Sequence, residues 1–93
     1  MEDTFFKQAV EEYFASNPTF DPIQIIQAAF ENEKIFFENG KVGQQNLKLW
    51  FAAVTEKLVS LGVELDLNQK LSELITNGKI VVDQTSATYE WRG

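Results

Sequence analysis

Apolar residues recur at three- and four-residue intervals over most of the chain. From Asp3 to Ser16, Phe5, Phe6, Ala9, Val10, Tyr13 and Phe14 fall on one helical face, and Glu11 and Glu12 fall on the other. Asp3 or Thr4 can cap this helix. Asn17-Pro18 ends it, because the residue before a proline is pushed out of helical conformation. Asp21-Pro22 is a strong second start, with an N-cap carboxylate followed by proline at the first helical position. Ile23, Ile26, Phe30 and Phe37 then form one stripe, and Ile25, Ala29 and Phe36 form another beside it. This wide apolar arc predicts a central helix that ends on a left-handed cap at Asn39-Gly40. Leu47, Trp50, Phe51, Val54, Leu58 and Leu61 predict a third helix over 44–61, stopped by Gly62. Asp66 opens a shorter fourth helix, with Gln69 at capping-box spacing. In it Leu67, Leu71, Leu74 and Ile75 face inward, and Asn77-Gly78 closes it.

After Gly78 the period changes to two. Lys79 to Asp83 is a β-branched run, Gln84 to Ala87 is small and polar, and Thr88-Tyr89-Glu90-Trp91 alternates. This predicts a hairpin with a four-residue loop. An isolated hairpin is marginal in water, so Ile80, Val82, Tyr89 or Trp91 must pack on the helices. The whole pattern predicts one α+β domain over residues 1–93, mainly helical, with four helices followed by a C-terminal β-hairpin.

Leu71-x-x-Leu74-Ile75-x-x-Gly78-x-Ile80, followed by Tyr89-x-Trp91, resembles the recognition helix and wing of winged-helix domains. The resemblance covers about 54–92. It implies nucleic-acid contacts from Asn68, Gln69 and Lys70, with Lys79 and Arg92 flanking the wing. Three features depart from the pattern. With Gly62 as the turn glycine, the small residue due four positions earlier is Leu58. The apolar residue due six positions later is Asn68. The strand that such domains carry after their first helix is not predicted.

Charge changes this picture. Fourteen acids against eight bases give a net charge of −6 over 93 residues. Residues 1–40 carry eight acids and two lysines, while residues 41–93 carry six of each, so all the net charge falls in the first forty residues. Phosphate contacts need a basic surface, which disfavours nucleic acid as the partner. An acidic surface instead suits a basic protein, since complementary charge steers encounter.

Composition removes other classes. The chain has no Cys and no His. Disulfides, thiolate nucleophiles, sulfur-bound metals and Ser–His chemistry are therefore excluded. Glu11-Glu12 and Glu31-x-Glu33 are adjacent acids on a solvated helix face, not a catalytic pair in a cleft. Gly40-x-x-Gly43 lacks the spacing and the Lys-Ser/Thr of a phosphate loop. There is no calcium-loop pattern and no Asp-Ser pair of the kind that opens a helix in acyl carriers. No enzyme activity, cofactor or metal is expected. The acidic start lacks a basic leader, and no apolar run approaches membrane-spanning length, so a cytoplasmic location is expected.

The leading expectation is a small acidic protein-binding module: an adaptor, regulator or inhibitor, of the kind phages and mobile elements encode. Its acidic face would be Glu11, Glu12, Glu31, Glu33 and Glu38. Its aromatic anchors would be Phe5 or Phe6 and Trp91, because neighbours on a helix sit about 100° apart and one ring of an adjacent pair can leave the core. The alternatives are a winged-helix-like nucleic-acid regulator using Asn68, Gln69, Lys70 and Lys79, and a self-assembling structural protein forming a homo-oligomer.

Overall fold

A computed structural model describes residues 2–93, with side chains described from residue 4 onward. In chain order the elements are α1 (Glu2–Ser16), α2 (Pro22–Glu31), α3 (Glu33–Phe36), β1 (Phe37–Glu38), β2 (Lys41–Gly43), α4 (Gln44–Ser60), α5 (Leu67–Thr76), β3 (Ile80–Asp83) and β4 (Thr88–Trp91). The fold is α+β and mainly helical, with the expected C-terminal hairpin. Among the described residues it has five helices rather than four, and the hairpin belongs to a four-stranded antiparallel sheet of order β1-β2-β4-β3.

Local signals place several elements where the sequence predicts them. The Asp21 carboxylate accepts a hydrogen bond from the Ile23 amide at 2.9 Å and caps α2. The Asp66 carboxylate accepts from the Gln69 amide at 3.0 Å and caps α5. β3 and β4 pair with Ile80 opposite Trp91 and Asp83 opposite Thr88, which leaves Gln84 to Ala87 as the loop. α1 opens at Glu2, so Thr4 lies inside the helix rather than at its cap. The Asp3 side chain lies outside the described residues.

The long second helix is corrected. It stops at Glu31, and Asn32 leaves helical conformation at φ −116°, ψ 83°. One turn of helix follows, and the chain then becomes strand at Phe37. Asn is a weak helix-interior residue because its side chain competes for nearby backbone groups. Asn39 and Gly40 are not a helix cap. Both take positive φ, 54° and 82°, and they form the two-residue turn joining Glu38 to Lys41. Two successive left-handed residues make a type I′ turn, whose twist matches paired strands.

The break feeds the core. Phe36 turns inward and packs edge-on against Phe6 and Trp50, with ring centroids 5.4 Å away in both cases. Tyr13 meets Trp50 edge-on at 6.0 Å. Trp50 is 2% exposed, and its indole N–H donates to the Ile25 carbonyl at 3.0 Å. One side chain of α4 therefore touches α1 and α3 and is hydrogen-bonded to α2. Val10, Ile26, Ala29, Leu47, Val54 and Leu58 belong to the same core, all buried. The sheet enters the same core through Val42 and Ile80.

Trp50→Phe removes the indole donor and part of a filled volume. It should lower unfolding free energy by about 1–3 kcal/mol in urea titrations, with the slope of the transition unchanged.

Candidate functional site

The expected acidic face divides. Glu11 is committed to the fold's surface, since its carboxylate accepts from the Lys57 ammonium at 2.9 Å and bridges α1 to α4. Glu12 lies one residue on, along a shallow cleft with Tyr13, Asn32, Phe36 and Trp50. The Tyr13 hydroxyl pKa is raised, first by burial and then by the negative fields of Asp21 and Glu31. Asp21 and Glu31 therefore both act on the Tyr13 hydroxyl. Glu33 opens α3. Glu38 lies on β1, with its carboxyl carbon close against Gly43. Among the described residues, Glu12, Glu31, Glu33 and Glu38 have no ion-pair partner, and Glu11 has one.

A second feature lies where α2 meets the sheet. Phe37, Val42, Tyr89 and Val82 are opposed in successive strand pairs, so they form one row across the strands. Trp91 lies two residues beyond Tyr89, on the same face of β4. Phe30, from the last turn of α2, packs against Trp91 with centroids 5.6 Å apart and planes tilted by 45°. Phe30, Phe37, Val42, Tyr89 and Trp91 line a half-open cleft of about 290 Å³, with Glu31 and Glu90 among the residues around it. Phe30, Phe37, Tyr89 and Trp91 are each half-buried. Burial also raises the Tyr89 hydroxyl pKa. The Glu90 carboxylate is engaged by the Arg92 guanidinium at 3.1 Å. Lys41, also around the cleft, has its ammonium 3.7 Å from Asp83. Glu31 is left as the uncompensated carboxylate of the cleft.

The nucleic-acid alternative gains in topology and loses in surface. The strand not predicted after the first helices is present as β2, and it pairs with β4 so that β4 lies between β2 and β3. This completes a strand–helix–helix–hairpin unit. On α5, Asn68 and Gln69 are exposed, but Lys70 is tied to Glu73 at 3.2 Å. Lys79 is exposed at the base of the hairpin. The loop of that hairpin is organised by an acid. The Asp83 carboxylate accepts from the Thr85 and Ser86 amides at 3.0 and 3.3 Å. Hydrogen bonds from Ser86, then that from Thr85 and the charge of Lys41, hold its pKa below the ordinary carboxylate range. A larger cleft of about 800 Å³ runs between α4 and α5, lined by Gln44, Gln45, Lys48, Phe51, Asn68 and Tyr89 among others. Its polar lining is mostly uncharged.

Comparison with known proteins returns no match, whether with family models, curated proteins or solved structures. Among the described residues, no helix is long and apolar enough to cross a membrane, and no three metal-type side chains gather.

The aromatic anchors separate as neighbours on a helix must. Phe6 is corrected: it is 4% exposed and sits in the core against Phe36, whereas Phe5 is 64% exposed. Trp91 is neither free nor fully buried. Phe30 and Phe37 join it in the cleft, and the helix pattern had placed both in one core stripe. Only the unexpected strand pairing moves them beside Trp91. Phe6→Ala should cost about 3–5 kcal/mol of stability, and Phe5→Ser should change it by less than about 0.5 kcal/mol. Thermal unfolding of the two variants measures the difference.

Proposed function

We propose that this protein is a small protein-binding module, an adaptor, regulator or inhibitor, that docks a basic surface of a protein partner. The observation that carries this reading is the meeting of Glu31 with Trp91 at one cleft, although sixty residues separate them in the chain. Half-buried rings beside an uncompensated carboxylate offer what a basic partner needs. Aromatic side chains anchor interfaces at low entropic cost. A surrounding negative field raises the rate of encounter and fixes orientation. Glu12, Asp21, Glu33 and Glu38 extend that field around α2 and β1. With Glu11 held by Lys57, the effective acidic set is Glu12, Glu31, Glu33 and Glu38, with Asp21 added.

The strand arrangement around β2, β4 and β3 supports a second reading, a winged-helix-like nucleic-acid regulator. The surface of α5 opposes it, because Lys70, the one cation of that helix, is paired with Glu73 at 3.2 Å.

A tagged pull-down from native lysate, run with and without nuclease and eluted with rising salt, tests the two together. Expected is a nuclease-resistant protein partner released at moderate salt. Reversing two charges with Glu31→Lys and Glu33→Lys should weaken its retention roughly tenfold at low salt. Retention unchanged by the double reversal contradicts the acidic face, and recovery abolished by nuclease favours the second reading.

A further inference from the structure

We infer that the cleft between α2 and the sheet is a pocket for one arginine side chain, presented by a basic segment of a protein partner. The inference rests on the basic-partner reading above and names what that partner inserts.

Three observations point to arginine. The first is size. About 290 Å³ lies at the lower limit of ligand pockets, roughly 300 Å³, which suits one long side chain better than a whole small ligand. The second is the wall. Phe30, Phe37, Tyr89 and Trp91 are half-buried aromatics that line the cleft, and Phe30 and Trp91 pack tilted by 45° rather than face to face. A planar guanidinium packs on ring faces by cation–π attraction and stacking, and it is more weakly hydrated than an ammonium. The third is charge. Glu31 beside the cleft has no ion-pair partner among the described residues, whereas Glu90 is taken by Arg92 and Lys41 is drawn toward Asp83. A guanidinium seated on the rings can donate two parallel hydrogen bonds to one carboxylate. The chain's own cations around the cleft are thus engaged elsewhere, and its one uncompensated charge is negative.

The test is a titration of the nitrogen-15-labelled 93-residue chain with a short glycine–arginine peptide and with its citrulline counterpart, which keeps the shape and removes the charge. The indole N–H signals report the result. Trp91 lies in the cleft, and Trp50, hydrogen-bonded to Ile25 in the core, is the internal control. Expected is a saturable shift of the Trp91 signal with the arginine peptide, a static Trp50 signal, and binding weaker by about tenfold or more for citrulline. Glu31→Gln should weaken the arginine peptide by about fivefold or more with the melting temperature unchanged. Equal shifts with arginine and citrulline, no saturation at millimolar peptide, or no effect of Glu31→Gln would each overturn the inference. The two proposals fail separately. A partner that is lost on charge reversal at Glu31 and Glu33 but retained by Trp91→Leu contradicts the arginine pocket and leaves the basic-partner reading in place. Selective arginine binding with no salt-sensitive partner does the reverse.

Discussion

Two residue pairs, Val42 with Tyr89 and Gly43 with Thr88, hold the N-terminal half of the chain to its C-terminal hairpin. The join is extended by Gln44, whose amide donates to the Ala87 carbonyl at 2.9 Å and whose side-chain amide donates to the Thr88 carbonyl at 3.3 Å. Thr88 is fully buried there, and its hydroxyl is paired with that of Ser86 at 2.7 Å. Without this pairing, β1–β2 and β3–β4 would be two short hairpins, each marginal alone. With it they form one sheet that Val42 and Ile80 fix to the helical core. The acidic half and the aromatic end of the chain meet because β2 and β4 pair. Phe30 reaches Trp91 across that junction, and Glu31 follows Phe30.

Legibility in the sequence tracks how local each determinant is. α1, α4 and α5 could be read because their stripes are continuous and their stops, Asn17-Pro18, Gly62 and Asn77-Gly78, lie next to them. The β3–β4 hairpin could be read because its period and its loop are both short-range. Asn39-Gly40 was ambiguous for a physical reason. A left-handed glycine ends a helix, and two left-handed residues also turn a hairpin, so the dipeptide fits both. What decides between them is β4, some fifty residues later, which supplies the partner that makes β2 worth forming. A one-dimensional pattern does not contain that partner. For the same reason the cleft was only half visible. Trp91 and Glu31 could be singled out one at a time, but Phe30 and Phe37 read as members of one core stripe.

The electrostatic pattern is also altered by the fold. The sequence places an excess of six negative charges in residues 1–40. Folding lends that half Lys57, which takes Glu11, while Lys7 turns toward Glu56 on α4 at 3.8 Å. These pairs are largely exposed and add little stability, typically under about 1 kcal/mol each. Their effect is on the shape of the surface field. The α1–α4 side becomes mixed in sign, and around α2, α3 and β1 the acids Asp21, Glu31, Glu33 and Glu38 outnumber the one cation, Lys34. That is the side on which the aromatic cleft opens. The proposed binding role follows from this coincidence of charge and exposed ring area, not from net acidity alone.

The β2–β4 junction can be tested directly by native-state hydrogen exchange. The Gln44-to-Ala87 hydrogen bond sets the antiparallel alternation, which points the Tyr89 amide toward Val42 and the Thr88 and Glu90 amides toward β3. If the junction binds the two halves into one cooperative unit, the Val42 and Tyr89 amides should exchange with the same opening free energy as Val54 and Leu58 in the core of α4. If Val42 and Tyr89 exchange orders of magnitude faster while Val54 and Leu58 stay protected, the hairpin opens by itself. The pairing would then not be what holds the cleft together.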